Sequence, residues 1–333
     1  MERRIVQSTD SSQIEANDLP PVSVVIIGRN EAANLPACIH SVRKMNYPQD
    51  RLELIYVDTD SSDGSPDVAR ALGVTVYEEH SDFPSPGRAR NRGWQEARHD
   101  IIHFVDGDMT VDAGYLREAV RHLGQSNVAC VIGRLQERQA SCNLLTQILE
   151  YPWKVKEPGF VDAPGAGGTF LKSVLADAGG YNPYLLKGEE TELGYRLRSR
   201  GHRILLLDQV MGTHDYDIRT PRQLWARYCS MGRSFAKVLQ LPSSASIAAE
   251  RRAARRHLVQ GGLALLLLVG LLALGLWWAV LLMPLLLALY VVVRYWRPTR
   301  LRGLRIAYFM LEYFLKPAVW FGMAQFAIMR RKS

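Results

Sequence analysis

From Leu258 to Val293 the chain runs 36 residues without an Asp, Glu, Lys or Arg, and no other feature constrains its fold as much. As one straight helix this stretch would measure roughly 54 Å at 1.5 Å per residue, against a hydrocarbon core of about 30 Å. A single span is too long. Two spans of about 17 residues each, hinged near Gly275, fit the core. Trp277 and Trp278 would then lie at the far interface, where aromatic rings collect. The competing explanation is a buried helix of a soluble domain, which rarely uses so long an apolar run.

The charge pattern follows the same division. The 333 residues carry 41 Lys and Arg against 33 Asp and Glu, a formal charge of +8. Twelve of those cations sit in three short segments with no acidic residue, 251–256, 294–305 and 330–332, leaving 29 basic residues against 33 acidic ones elsewhere. The basic character is therefore local and flanks apolar sequence, which excludes a generally cationic nucleic-acid binder. Arg251, Arg252, Arg255 and Arg256 precede the apolar pair, and Arg294, Arg297, Arg300, Arg302 and Arg305 follow it. By the positive-inside rule both ends face the cytoplasm, which predicts an integral protein of the cytoplasmic (inner) membrane. A further segment, Ile306–Met329, contains Glu312, Lys316 and Pro317 and ends in Arg330-Arg331-Lys332. A third full span would put that cluster outside, so an interfacial or re-entrant helix is expected.

The mean hydropathy of −0.09 averages these apolar segments with an unlike remainder. Residues 1–20 are polar and carry no apolar core of signal-peptide length, so a flexible tail is expected. Cys38, Cys130, Cys142 and Cys229 are widely spaced without a C-x-x-C pair; free thiols in a reducing compartment fit better than disulfides or zinc. Residues 21–240 read as an α/β domain. Apolar runs at Val22–Ile27, Leu54–Val57, Val74–Tyr77, Ile101–Val105, Val128–Ile132 and Ile204–Leu207 alternate with helix-like segments, as in a mixed, largely parallel sheet. A basic linker (241–257), a transmembrane hairpin (258–293) and a basic loop with the last helix (294–333) complete the expected organisation.

In such sheets ligands bind beyond the carboxyl ends of strands, and polar clusters follow these runs. After the first comes Gly28-Arg29-Asn30-Glu31; after the second, Asp58-Thr59-Asp60-Ser61-Ser62-Asp63-Gly64-Ser65. The latter can read a base or ribose, or simply cap the next helix. Asp106-Gly107-Asp108 can hold a hard divalent cation whose other positions go to phosphates, or form a plain turn. The glycines of Pro164-Gly165-Ala166-Gly167-Gly168-Thr169, ahead of a helix-like stretch, permit close backbone approach to a ligand or a tight turn. Glu189, Glu190 and Glu192 open a helix, where carboxylates suit the macrodipole. Their mutual repulsion could also raise one pKa towards general-base work.

Taken in order, these segments resemble family 2 glycosyltransferases of the GT-A fold over about residues 22–240. Val22–Glu31 is similar to the opening strand and N-E turn, and Tyr56–Ser65 to the V-D-D-G-S-T-D-G-T element. Arg88-Ala89-Arg90-Asn91-Arg92-Gly93 is similar to A-R-N-x-G, Asp106-Gly107-Asp108 to the D-x-D metal motif, and Glu189–Leu193 to the E-D-x-(D/E)-L acceptor-side motif. Leu224–Arg233, followed by membrane helices, resembles the anchored exopolysaccharide branch of succinoglycan type. The resemblance implies a GT-A (Rossmann-like) α/β domain followed by C-terminal transmembrane helices. Asp58 would contact the base of a UDP- or GDP-type donor, Glu31 would close that pocket, and Arg90 would approach the diphosphate. Asn30, Asp60, Asp106, Gly167, Gly168 and Arg233 complete the implied substrate-binding set. Asp106 and Asp108 would hold Mg²⁺ or Mn²⁺, with His214 either a further ligand or a structural histidine. Glu190, beside Glu189, would be the catalytic base of an inverting displacement.

Three departures stand out: Gly28 where a polar residue is common, Thr59 for the second aspartate of D-D-G-S with Asp60 for its glycine, and Glu190 for the usual aspartate. The nearest string to the processive Q-x-x-R-W motif, Gln223-Leu224-Trp225-Ala226-Arg227-Tyr228, is one residue too long and ends in tyrosine. The expectation is single-sugar transfer to a membrane-associated acceptor, a lipid-linked saccharide or glycolipid, with the basic flanks on membrane lipids. A processive polysaccharide synthase, a catalytically silent assembly subunit and a nucleotidyltransferase on a related fold are the alternatives.

Overall fold

The computed structural model describes residues 19–138, 144–165, 167–215, 218, 220–296 and 301–329. Most of the expected N-terminal tail, Cys142, Arg297, Arg300 and the cluster at 330–332 lie outside these. All six apolar runs are strands. Strands β1 (Val22–Gly28), β2 (Leu52–Asp58), β3 (Thr75–Glu78) and β4 (Ile101–Asp106) run parallel in the order β3-β2-β1-β4. The first is central and buried along its length, which is why it reads as an unbroken apolar run. Val24 and Ile26 enter one core with Leu35 and Ile39 of α1 (Leu35–Arg43) and Tyr115 of α4 (Tyr115–His122). Val25 and Ile27 enter the opposite core with Ala89 and Trp94 of α3 (Pro86–Glu96) and Leu193 and Leu197 of α8 (Glu189–Ser199). This is the two-residue alternation of a strand covered on both faces.

Beyond β4 the sheet becomes mixed. Strand β8 (Gly168–Leu171) lies antiparallel between β4 and β6 (Val128–Glu137), and β6 pairs in parallel with β9 (Arg203–His214). Two short strands, β5 (Thr110–Val111) and β7 (Gly159–Val161), flank β9 antiparallel to it. The sheet is thus the mixed, largely parallel one expected, with three short strands added. The glycine-rich segment enters strand β8 before the helix α7 (Lys172–Ala178) begins.

Helix α9 (Pro221–Gln240) starts at a capping box between Thr220 and Gln223 with proline in its first turn, a strong start signal. Helices α10 (Ala248–Ala273) and α11 (Trp277–Tyr295) turn at Gly275, whose φ of +70° suits only a residue without Cβ. Ala248–Ala273 and Trp278–Tyr295 are long and apolar enough to cross a membrane. The first begins ten residues before the charge-free stretch, so 248–257 of the expected linker is helix.

The segment expected as one helix over 306–329 is two, α12 (Arg302–Phe314) and α13 (Lys316–Met329), broken at Leu315 with Pro317 in the first turn of the second. At about 20 Å each, neither matches a core of about 30 Å. Glu312 accepts a hydrogen bond from the Tyr228 hydroxyl of α9, which gives this carboxylate a partner in apolar surroundings. Across α9 and α13 the backbones nearly touch, since a Cβ on Gly232 would lie 2.0 Å from the Val319 carbonyl, and one on Gly322 would lie 2.0 Å from that of Cys229.

Candidate active site

The carboxyl ends of β1, β2 and β4 and the starts of α3 and α8 enclose a cleft of about 380 Å³. It is lined by Gly28, Arg29, Glu31 and Thr59, by Pro84, Ser85, Pro86 and Arg90, and by Asp106, Gly107, Asp108, Glu189 and Glu190. Five separate sequence motifs therefore meet in one place. Local packing explains how. Gly93 lets α3 press on β1, because a Cβ there would fall 2.2 Å from Cγ1 of Val25; this seats Arg90, one turn earlier, beneath the cleft. Asn91 pins the opposite wall, donating to the Tyr181 carbonyl (2.8 Å) and accepting from the Tyr181 amide (2.7 Å). Ser85 caps α3, accepting from the Arg88 amide.

Arg90 is the electrostatic centre. Only 2% of its side chain is exposed, and it reaches Asp106 (2.9 Å), Glu189 (3.0 Å) and Glu190 (3.7 Å). Burial alone would push its pKa down, but Asp106, Glu190 and Glu189 outweigh that and hold it above the ordinary value. Nη1 and Nη2 are engaged by carboxylates while Nε has no hydrogen-bond partner among the described residues, so Arg90 braces the site from below and lines the cleft where the resemblance implies a diphosphate. The three glutamates of the acidic motif divide. Glu192 pairs with Arg196 one turn on (2.6 Å), Glu189 is buried against Arg90, and Glu190 is 19% exposed to the cleft. Burial first, and then repulsion from Glu189, raise the Glu190 pKa.

Asp106 and Asp108 stand on either side of Gly107, whose amide donates to the Ile27 carbonyl (2.8 Å). Gly107 is needed where the two loops meet, because a Cβ would press on that carbonyl and on Glu31 at 3.2 Å. The Asp108 carboxyl is pushed up to about 7, first by burial and then by Asp106 and Glu31. Such a cluster gains by binding a cation. Among the described residues no three His, Cys, Asp or Glu side chains converge into a metal cage. Two carboxylate donors suit Mg²⁺ or Mn²⁺, which complete their shells with water and phosphate oxygens. His214 at the end of β9 does not join Asp106 and Asp108 in a three-ligand group, though Asp106 lies within its electrostatic reach.

Several other residues of the implied substrate set also make bonds within the protein. Asp58 is buried and accepts from the Tyr56 hydroxyl (2.9 Å) and from the amide (2.8 Å) and hydroxyl (2.6 Å) of Ser61, so it shapes the β2 loop. Asn30 takes φ +59° and accepts from the Ser62 amide (2.8 Å), tying the β1 and β2 loops together. Asp60 faces His80 (2.9 Å). Gly167 and Gly168 do not line the cleft. Their positive φ and close neighbours, Met211 with the Phe104 carbonyl and Ile132 with Cys130, make them packing glycines. Arg233 bonds Gln325 of α13 (3.2 Å), away from the cleft. Conversely, Arg29, Thr59, Ser85 and the two prolines were not expected in the lining; the Ser85-Pro86 pair, a cap followed by proline at N1, is the signal that could have found this wall. The three described cysteines are buried and free.

The profile of the family described as Glycosyl transferase family 2 matches residues 23–169. The chain is 25% identical over 205 residues to the Glycosyltransferase AglE of Haloferax volcanii, covering 59% of this chain and 67% of that protein. It is 27% identical over 210 residues to the Probable glycosyltransferase YdaM of Bacillus subtilis, covering 56% of this chain and 49% of that one. The matched stretch thus spans between half and two thirds of these relatives' length. Among solved structures, the fold is similar to that of the mannosyltransferase PcManGT from Pyrobaculum calidifontis in complex with GDP-Man and Mn²⁺. That likeness has a TM-score of 0.57 at 19% identity, over 91% of this chain and 87% of that one. Residues 23–169 of this chain thus match the family 2 glycosyltransferase model, on a mixed, largely parallel sheet of the GT-A type.

Proposed function

We propose that this protein transfers a sugar from a nucleotide-diphosphate donor to a lipid-linked saccharide or glycolipid at the cytoplasmic face of a membrane, inverting the anomeric centre. The observation that carries the reading is the cleft in which Asp106 and Asp108 face Glu190 across the buried Arg90. A donor there would lie with its diphosphate towards the two aspartates and its sugar towards Glu190. The solved mannosyltransferase, described with GDP-Man and Mn²⁺, supports a UDP- or GDP-type donor and a divalent ion. Asp106 and Asp108 would hold Mg²⁺ or Mn²⁺, whose Lewis acidity would supply charge stabilisation for the leaving nucleotide. Glu190, its pKa raised, takes the proton from the acceptor hydroxyl as that oxygen attacks the anomeric carbon and the bond to the diphosphate breaks. Arg90 and Glu189 hold Glu190 in place. The departures at Gly28 and Thr59 leave this chemistry intact, since Tyr56 occupies the space beneath Gly28 and Thr59 still lines the cleft.

The test is thermal shift of the full chain in detergent against UDP-, GDP- and dTDP-sugars with and without Mn²⁺. One donor should raise stability by about 2.7 kcal/mol at a hundredfold excess over Kd, only with metal, and Asp108→Ala should lose the effect. A folded protein that responds to no donor overturns the proposal and leaves the silent assembly subunit in its place.

A further inference from the structure

Helices α9, α10 and α13 enclose a second cavity, about 910 Å³ and mostly apolar, lined by Ala236, Leu258, Gly262, Leu265, Phe321 and Ala324 among others. It opens along α10, a helix long enough to cross a membrane. Two polar atoms are stranded on its wall: among the described residues, Nδ1 of His257 and Nε1 of Trp320 are buried without a hydrogen-bond partner. Buried polar atoms are normally satisfied, so a wholly hydrocarbon occupant does not account for this wall. The groove also adjoins the acceptor side of the cleft. Leu185, just ahead of the acidic motif, packs with Val238 and Leu241 at the end of α9 and Ile247 before α10. Gly188, the cap of α8, lies against Glu250 in the first turn of α10.

Beside Glu189 lies a cationic cluster. Lys187 has Arg227 and Arg233 of α9 as electrostatic neighbours and Glu189 as its acidic one. Among the described residues Lys187 makes no ion pair or hydrogen bond, and Arg233 reaches across to Gln325 of α13. Lys187, Arg227 and Arg233 thus neighbour one another beside Glu189, with Arg233 one turn before Ala236 of the groove wall, a charge pattern that suits a lipid phosphate.

We propose that the groove between α9, α10 and α13 holds the hydrocarbon chain of the acceptor lipid, whose phosphate rests on Lys187, Arg227 and Arg233 and so presents its head to Glu190. This rests on the glycosyltransferase reading above and names where and how its acceptor binds. The lipid's linking oxygens are acceptors for the stranded indole N–H of Trp320, and its chain fills the space beside Gly262.

The experiment uses the full chain in detergent and reads lipid retention by native mass spectrometry. The probes are a long-chain polyprenyl phosphate, the same polyprenol without phosphate, and phosphatidylcholine. A Cβ at Gly262 meets no atom within 4 Å, so Gly262→Phe fills the groove without a backbone clash. Polyprenyl phosphate should bind about tenfold tighter than either other lipid, roughly the effect of one well-made charge-assisted contact. Gly262→Phe should lose that binding, and Lys187→Gln should lose the preference for phosphate over alcohol. Equal retention of all three lipids, as ordinary bilayer lipid would give, overturns the proposal. So does polyprenyl phosphate binding that neither variant weakens. The metal-dependent nucleotide shift, measured on the same samples, reports folding and the donor site separately. Loss of that shift in the unmodified chain defeats the glycosyltransferase reading, whereas loss of lipid selectivity with the shift intact defeats only the groove.

Discussion

A side chain at position 28 would have nowhere to go. A Cβ there lies 3.0 Å from the Tyr56 hydroxyl oxygen and 3.0 Å from Cγ of Glu31, and Tyr56 is fully buried with its hydroxyl held by Asp58. The glycine that stands where a polar residue is common is therefore the consequence of a large residue on the neighbouring strand, which no local pattern reveals. Gly28→Ala should cost about 1–2 kcal/mol by overpacking, and less in a Tyr56→Phe background, where the obstructing oxygen is gone. Denaturant titration of the four-member cycle checks this; equal cost in both backgrounds would exclude the clash. Glu190 carries the second expectation at this scale. It acts as a base only when ionised, so activity should rise with pH through its elevated pKa. Its acid limb should lie above the ordinary carboxylate range. Glu189→Gln removes the like charge and leaves Arg90 to Glu190, so the limb should move to lower pH in a kcat/KM profile. A limb that stays in place would show that Glu189 does not tune the base. Glu190→Gln itself should lower kcat by about 10²–10⁴, the usual worth of a general base, with the donor thermal shift unchanged.

The six strands legible in the sequence are those whose apolar runs fill one or both faces of the sheet for four residues or more. Strands β5, β7 and β8, of two to four residues, are shorter than a pattern needs to declare itself, and their pairing depends on partners 43 to 103 residues away. Strand β8 carries a consequence for pH. His103 of β4 is wholly buried, with its Nδ1 3.1 Å from the Thr169 hydroxyl of β8, and burial holds its pKa down to about 4. A histidine kept neutral when folded but protonated when unfolded destabilises the fold as pH falls through its ordinary pKa of about 6.5. The loss stops once the folded-state pKa is passed. Between about pH 7 and about pH 5 this group alone should remove about 2 kcal/mol. That is a Tm fall roughly 4–8 °C larger than in His103→Gln, where no group titrates, taking the usual scaling for a domain of this size. Parallel melting curves over that range are the measurement, and identical slopes for the two proteins would refute the assignment.

At the scale of the molecule, the order of five motifs along the chain foretold which loops would gather at one end of the sheet, because parallel strands put their carboxyl ends together. What it could not foretell is the bracing between them. The pair Arg90–Glu189 spans 99 residues, and Asp106 shares the same guanidinium. Asn30 likewise makes a loop-building bond to Ser62 that forms only once β1 and β2 are side by side. The C-terminal region shows the same limit. Hydropathy located two long apolar helices and their hinge, yet gave no hint that α13 would lie on α9, because the closest approach is of backbone at Gly232 and Gly322, and the side chains packed beside it, Leu224 and Tyr228 with Ala318 and Val319, form no pattern readable along either helix alone. Its strength is testable. With the Cys229 carbonyl 2.0 Å from a Cβ at position 322, Gly322→Ala forces two helix backbones apart and should cost about 3 kcal/mol, the upper end of ordinary overpacking. Since α13 forms one wall of the apolar groove while the cleft belongs to the α/β domain, the two functions should separate. Hydrogen exchange should quicken over 316–329 and 224–238, polyprenyl phosphate retention should fall, and the metal-dependent donor shift should persist. Unchanged exchange over both helices would mean that the contact does not hold α13 in place, and a lost donor shift would mean that the cleft depends on the C-terminal helices for its shape.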